Sequence, residues 1–144
     1  MSDWFEQKQQ QMAATAREEE TERDVRRQIL VTVPHFWDVM IQAIQVGAKK
    51  WNAHKGRDEI YMLDASGIAD TKSVNLAGPS DRISLRFSYN VPRIDYASEN
   101  GMPRGACTFT LENGQVRMVS DDIMAESMLP SDAAGFFLNF VLHG

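Results

Sequence analysis

The chain has 144 residues, 43% hydrophobic and 24% charged, with 15 Lys and Arg against 20 Asp and Glu for a formal net charge of -5. That length suits one domain around one core, and no apolar run approaches the ~20 residues of a bilayer span, which argues against an integral membrane protein. The acid excess disfavours a chain whose main work is gripping a phosphate backbone, and a single cysteine excludes an internal disulfide or a Cys-based zinc cluster. The N-terminus MSDWFEQKQQ carries acids and amides where a signal peptide needs a basic stretch and an apolar run, so a reducing cytoplasm is the expected location.

Residues 3 to about 30 lack Pro and Gly and are dominated by Glu, Gln, Arg, Ala and Met, which predicts a long N-terminal helix. Opposite charges recur at helical spacing: Glu19 with Arg23, Glu22 with Arg26, Glu20 with Arg23 and Asp24 with Arg27. Nothing larger than Ala falls between Met12 and Val25, too sparse for a coiled-coil seam. A helix of this span would be roughly 42 Å long, against a radius of gyration near ~13 Å for the rest. The first 30 residues therefore read as a helical arm, docked through Val25, Ile29 and Leu30, on a single domain formed by residues 31–144. Trp4, Phe5 and Met12 are poor choices for an idle solvated end and are candidate partner-binding residues.

A second amphipathic helix is expected next. Thr32 can cap it, Pro34 suits a first turn, and Lys49, Lys50, His54 and Lys55 gather before a Gly56 stop. Trp37, Met40, Ile44, Ala48 and Trp51 make a broad apolar stripe that should lie on a sheet, with Gly47 admitting close approach to it. Residues 57–81 are ambiguous: Ile60 to Leu63 suits a short strand or a helical turn, and Thr71 to Ala77 a first or edge strand.

From Arg82 the period changes to two. Ile83, Leu85, Phe87 and Tyr89 alternate with Arg82, Ser84, Arg86 and Ser88, the pattern of a half-buried strand. Asn100 with Gly101, and Asn113 with Gly114, are hairpin turns by the strongest short-range signal. Closing the second sets Leu111 opposite Val116, Phe109 opposite Met118 and Cys107 opposite Ser120. Closing the first sets Ile94 opposite Cys107 and Tyr96 opposite Gly105, so both turns agree on one core face. Pro92 excludes a two-residue type I′ loop after Asn90, so a bulge, a longer connection or an edge position is expected there.

IMAESM after Asp122 reads as a short helical turn. Pro130, Ser131 and Asp132 then open a C-terminal helix carrying Phe136, Phe137 and Phe140, one side of which is a further candidate partner surface. The fold class is α+β: a long N-terminal helix, a second amphipathic helix and a C-terminal helix on one face of an antiparallel meander of about four or five strands.

Motifs tying backbone geometry to phosphate, metal or acyl chemistry are absent, and His35, His54 and His143 stand apart, so no catalytic residue, metal or cofactor is expected. Cys107 lies on the inferred core face. Asp121 with Asp122, or Asp58, Glu59 and Asp64, offer paired carboxylates that read as solvated loop acids. Arg82, Arg86, Arg93, Arg104 and Arg117 share the outer sheet face, a candidate site for an anion or an acidic partner. Phe87, Tyr89, Tyr96 and Phe109 lie on the other side, so the stacking platform of an RNA-binding sheet is missing and nucleic acid is disfavoured.

The expected function is that of a non-enzymatic interaction module that self-associates or docks a protein partner through the arm, the C-terminal helix or the Arg face. The alternative is a small-molecule pocket protein or enzyme with a cavity between sheet and second helix lined by Trp37, Met40, Trp51, Phe87, Tyr89 and Phe109.

Overall fold

A computed structural model describes residues 2–65, 71–99, 104–121 and 126–143. The element order is α1 (Ser2–Lys55), β1 (Tyr61–Ala65), β2 (Thr71–Ala77), β3 (Arg82–Ser88), β4 (Arg93–Ser98), β5 (Arg104–Glu112), β6 (Gln115–Ser120) and α2 (Pro130–His143). The strands form one six-stranded sheet in sequence order, each antiparallel to the next. The α+β class holds, with six strands rather than four or five: β1 and β2 both form, joined in a register that sets Tyr61 opposite Ala77.

The two helices expected in the first third are one. α1 runs unbroken through 54 residues, roughly 81 Å at 1.5 Å per residue. Thr32 does not cap a helix and Pro34 does not open one; Pro34 lies inside α1. A proline in a helix interior costs about 3 kcal/mol. Val33, Phe36 and Trp37 beside it are all buried, and each such burial contributes about 1.5–3 kcal/mol, so packing on the sheet outweighs the local penalty. By length and composition α1 is also apolar enough to cross a membrane, which corrects the expectation that no segment is. Its residues Val33, Phe36, Trp37, Met40 and Ile44 are nevertheless buried within the protein's own core.

The core lies between one sheet face and the two helices. Val33, Phe36, Trp37, Met40, Ile44 and Ala48 of α1 and Ala133, Ala134, Phe137 and Val141 of α2 pack against Val74, Leu76, Ile83, Leu85, Phe87, Ile94, Cys107 and Met118 of the strands. Trp37 stacks on Phe87 with centroids 5.2 Å apart, and Phe36 meets Phe109 edge-on at 5.2 Å. Gly47 gives close approach to α2 rather than to the sheet: a Cβ there would stand 2.8 Å from Leu138 Cδ1.

Side-chain clamps fix the chain where elements change direction. At the end of α1, Asn52 Oδ1 accepts from the Glu59 and Ile60 amides at 2.9 Å each and its Nδ2 donates to the Ile60 carbonyl at 2.8 Å. Beside it, Trp51 Nε1 donates to Glu59 Oε2 at 2.8 Å and Arg57 Nε to Glu59 Oε1 at 2.7 Å, which hold that carboxyl below its usual range. At the end of α2, Ser80 donates through its amide to the Val141 carbonyl at 2.9 Å and through Oγ to the Leu142 carbonyl at 2.7 Å, occupying carbonyls a helix end leaves without partners.

The turn chemistry at Asn113 and Gly114 is as the dipeptide requires, with φ of 50° and 78°, and all three pairs expected across it are observed. Residues 100–103 are outside the described set, but β4 and β5 pair Ile94 with Cys107 and Tyr96 with Gly105. Between β3 and β4 the chain makes a four-residue turn, residues 89–92, closed by Ser88 opposite Arg93. The short helix expected in IMAESM falls partly on residues 122–125, outside the described set. At its end Met128 is extended instead, exchanging backbone hydrogen bonds of 2.8 and 2.7 Å with Met118, because β6 otherwise presents an unpaired edge there.

Candidate interaction site: the arm and the groove at its base

α1 reaches the body only in its later half. Every described side chain from Asp3 to Asp24 is exposed, and Val25 and Ile29 are the first to be partly covered. Trp4, Phe5 and Met12 are 67%, 57% and 68% exposed, values that ordinary surface packing rarely leaves on such side chains. Of the charge pairs expected along the arm, Glu19 and Arg23 close to 3.8 Å. Both members are well exposed, so the pair adds at most a few tenths of a kcal/mol to helix stability.

At 3.6 residues per turn, Trp4, Phe5, Lys8, Met12, Thr15, Glu19, Glu22, Arg26 and Ile29 fall within an arc of about 120°. The same arc continues into Val33, Met40 and Ile44, which face the sheet. The arm therefore turns its apolar tip toward the side on which the body lies. Its opposite side carries Asp3, Glu6, Gln10, Ala13, Arg17, Glu20, Asp24 and Gln28, with nothing apolar beyond Ala.

Where the arm meets the body there is an open groove of about 510 Å³. Val25 and Ile29 form one wall, and Val91, Pro92 and Phe109 the other. Thr21, Glu22, Arg26, Asn90 and Thr108 supply polar groups around this apolar floor. The turn that Pro92 forces between β3 and β4 builds the second wall and leaves Val91 64% exposed. At the far end of the arm, Trp4, Phe5, Lys8, Gln9 and Met12 border a second open concavity of about 450 Å³.

The other candidate residues are placed differently. Phe137 is fully buried, and Phe136 and Phe140 flank Tyr96 with centroids 5.8 and 5.5 Å from its ring, so the C-terminal aromatics are engaged within the fold. Of the six residues expected around a cavity, Met40 and Phe87 are wholly enclosed and Trp37 nearly so. Tyr89 lies edge-on to Phe87 at 4.7 Å beneath the Lys72 ammonium, Trp51 is tied to Glu59, and Phe109 lines the groove. On the outer sheet face Arg82, Arg86, Arg93 and Arg104 are exposed and Arg117 is partly covered. Three have partners: Arg93 reaches Asp95 at 3.0 Å, Arg117 reaches Glu112 at 3.7 Å, and Arg82 donates to Tyr61 Oη at 3.1 Å. Arg86 stands opposite Asp95 in the register, so carboxylates interrupt the positive face.

Among the described residues no group of three or more His, Cys, Asp or Glu could hold a metal ion. His35, His54 and His143 are exposed and far apart in the chain. Burial, reinforced by the Asp121 carboxylate, pushes the Cys107 thiol up to about 12. A thiol so protonated is a poor nucleophile, and at about pH 8 it is expected to resist alkylation in the native protein while reacting to completion in denaturant. Intact-mass measurement of adducts checks this, and rapid native labelling would show that the strand opens.

The groove residues Val25, Ile29, Val91, Pro92 and Phe109 come together only through the tertiary fold, and the irregular spacing around Pro92 is the one sequence signal that pointed to its outer wall. No protein-family model matches this chain, nor does any curated protein or solved structure compared with it.

Proposed function

We propose that this protein is a non-enzymatic interaction module that associates with a second copy of itself through its arm. The observation that carries the reading is the continuation of α1 beyond the body with Trp4, Phe5 and Met12 exposed on one face. Large aromatic groups held in water on a helix that touches nothing contribute nothing to folding, whereas aromatic anchors dominate interface energies. The groove at the arm's base favours a second reading, a small apolar ligand, since its volume lies in the range of small-molecule pockets.

Sedimentation velocity and native mass spectrometry of the full chain separate the two. Self-association gives twice the 16.3 kDa chain mass at micromolar concentration. A monomer that carries additional small-molecule mass supports the ligand reading, and a bare monomer overturns both.

A further inference from the structure

Resting on the self-association reading, the geometry points to a specific arrangement: we propose that two arms pair antiparallel about a two-fold axis near Thr15, each seating its Trp4 and Phe5 in the groove at the base of the other.

Three observations converge on this register. The first is length. Trp4 and Phe5 stand ten to eleven residues before Thr15, about 16 Å along the helix, and Val25, in the middle of the groove's helical wall, stands ten residues after it, about 15 Å. A two-fold at Thr15 exchanges position i with position 30 minus i, so Phe5 falls opposite Val25 and Trp4 opposite Arg26. The second is charge. The same operation sets Lys8 against Glu22, Glu19 against Gln11 and Arg23 against Gln7, and it lays the Arg26 guanidinium beside an indole; the one like-charge pair it makes, Glu6 with Asp24, lies on the outer side of each arm. A parallel pair in register would instead oppose Lys8 to Lys8, Glu19 to Glu19, Glu22 to Glu22 and Arg26 to Arg26. The third is shape. Thr15, flanked by Ala14 and Ala16, puts a small side chain where the helices cross, and the partner's arm ends where Val91 and Pro92 begin to project. Moving the axis toward the body would drive the partner's tip into the sheet, and moving it outward would leave the groove empty.

Cysteine pairing tests the register in the full chain, with the buried Cys107 left in place as an inert thiol. Under mild oxidation Lys8→Cys alone and Glu22→Cys alone are expected to stay uncrosslinked, because in each antiparallel dimer the two introduced thiols are about 21 Å apart along the axis. An equimolar mixture of the two variants gives covalent dimer in about half of the chains, the fraction that forms mixed pairs. Thr15→Cys crosslinks to itself. Self-crosslinking of Lys8→Cys, or a dimeric protein with no crosslink between positions 8 and 22, overturns this register while leaving self-association standing. A protein that sediments as a monomer overturns both.

Discussion

Phe87→Ala is expected to lower the stability of the fold by about 3–5 kcal/mol, the usual cost of truncating a fully enclosed aromatic side chain. Phe87 has no solvent exposure, lies under the Trp37 ring at 5.2 Å and meets Tyr89 edge-on at 4.7 Å. Its removal opens a cavity where α1 is seated on β3, and neither the helix nor the hydrogen-bonded strand can collapse far enough to fill it. For a chain of this size the loss corresponds to a fall of roughly 10–20 °C in the thermal midpoint. Val46→Ala, on the outer side of the same helix where Val46 is 51% exposed, is expected to stay within about 0.5 kcal/mol of the parent. Denaturant titration followed by far-ultraviolet circular dichroism compares the two. Equal effects would mean that α1 does not rest on the sheet through Phe87.

The contrast between these positions shows why the sheet was legible in the sequence and the helix only in part. In the meander, local and distant constraints agree: Asn113 and Gly114 require positive φ, and the strands they join then meet with Leu111, Phe109 and Cys107 facing the core. One dipeptide fixes a register that burial independently demands. At Pro34 the constraints oppose one another, and local propensity pointed the wrong way. The proline's backbone penalty is felt within one turn, whereas the burial of Val33, Phe36 and Trp37 that overrides it depends on strands beginning some way down the chain. Gly47 failed for a related reason: a glycine signals close approach but not by what, and here the approaching element is α2. The tip of the candidate site was visible because exposed aromatics in a charged helix are anomalous by composition alone. Its counterpart was not, since Val25 and Ile29 carry no sign that Val91, Pro92 and Phe109 will stand across from them.

Trp4→Ala is expected to raise the dissociation constant of the dimer by about a thousandfold. An aromatic anchor seated in an apolar groove is worth about 2 kcal/mol when truncated, and the two-fold repeats each seat, so one substitution removes about 4 kcal/mol from the pair. In the isolated chain Trp4 is 67% exposed on a segment remote from the core, so the circular dichroism of the sheet and its urea midpoint, compared for the monomers at high dilution, are expected to be unchanged. Gln10→Ala, on the polar side of the arm, serves as the control and is expected to leave the dissociation constant within about twofold of the parent. Val91→Asp approaches the same contact from the other side. It places a charge on the apolar wall that receives the tip, away from the arm itself, and should weaken association to a similar degree because the seated indole then buries a carboxylate without a partner. Sedimentation equilibrium over a concentration series measures all three. If Trp4→Ala weakens the dimer and Val91→Asp does not, the tip is an anchor but the groove is not its seat; if neither does, the copies are held together by another surface.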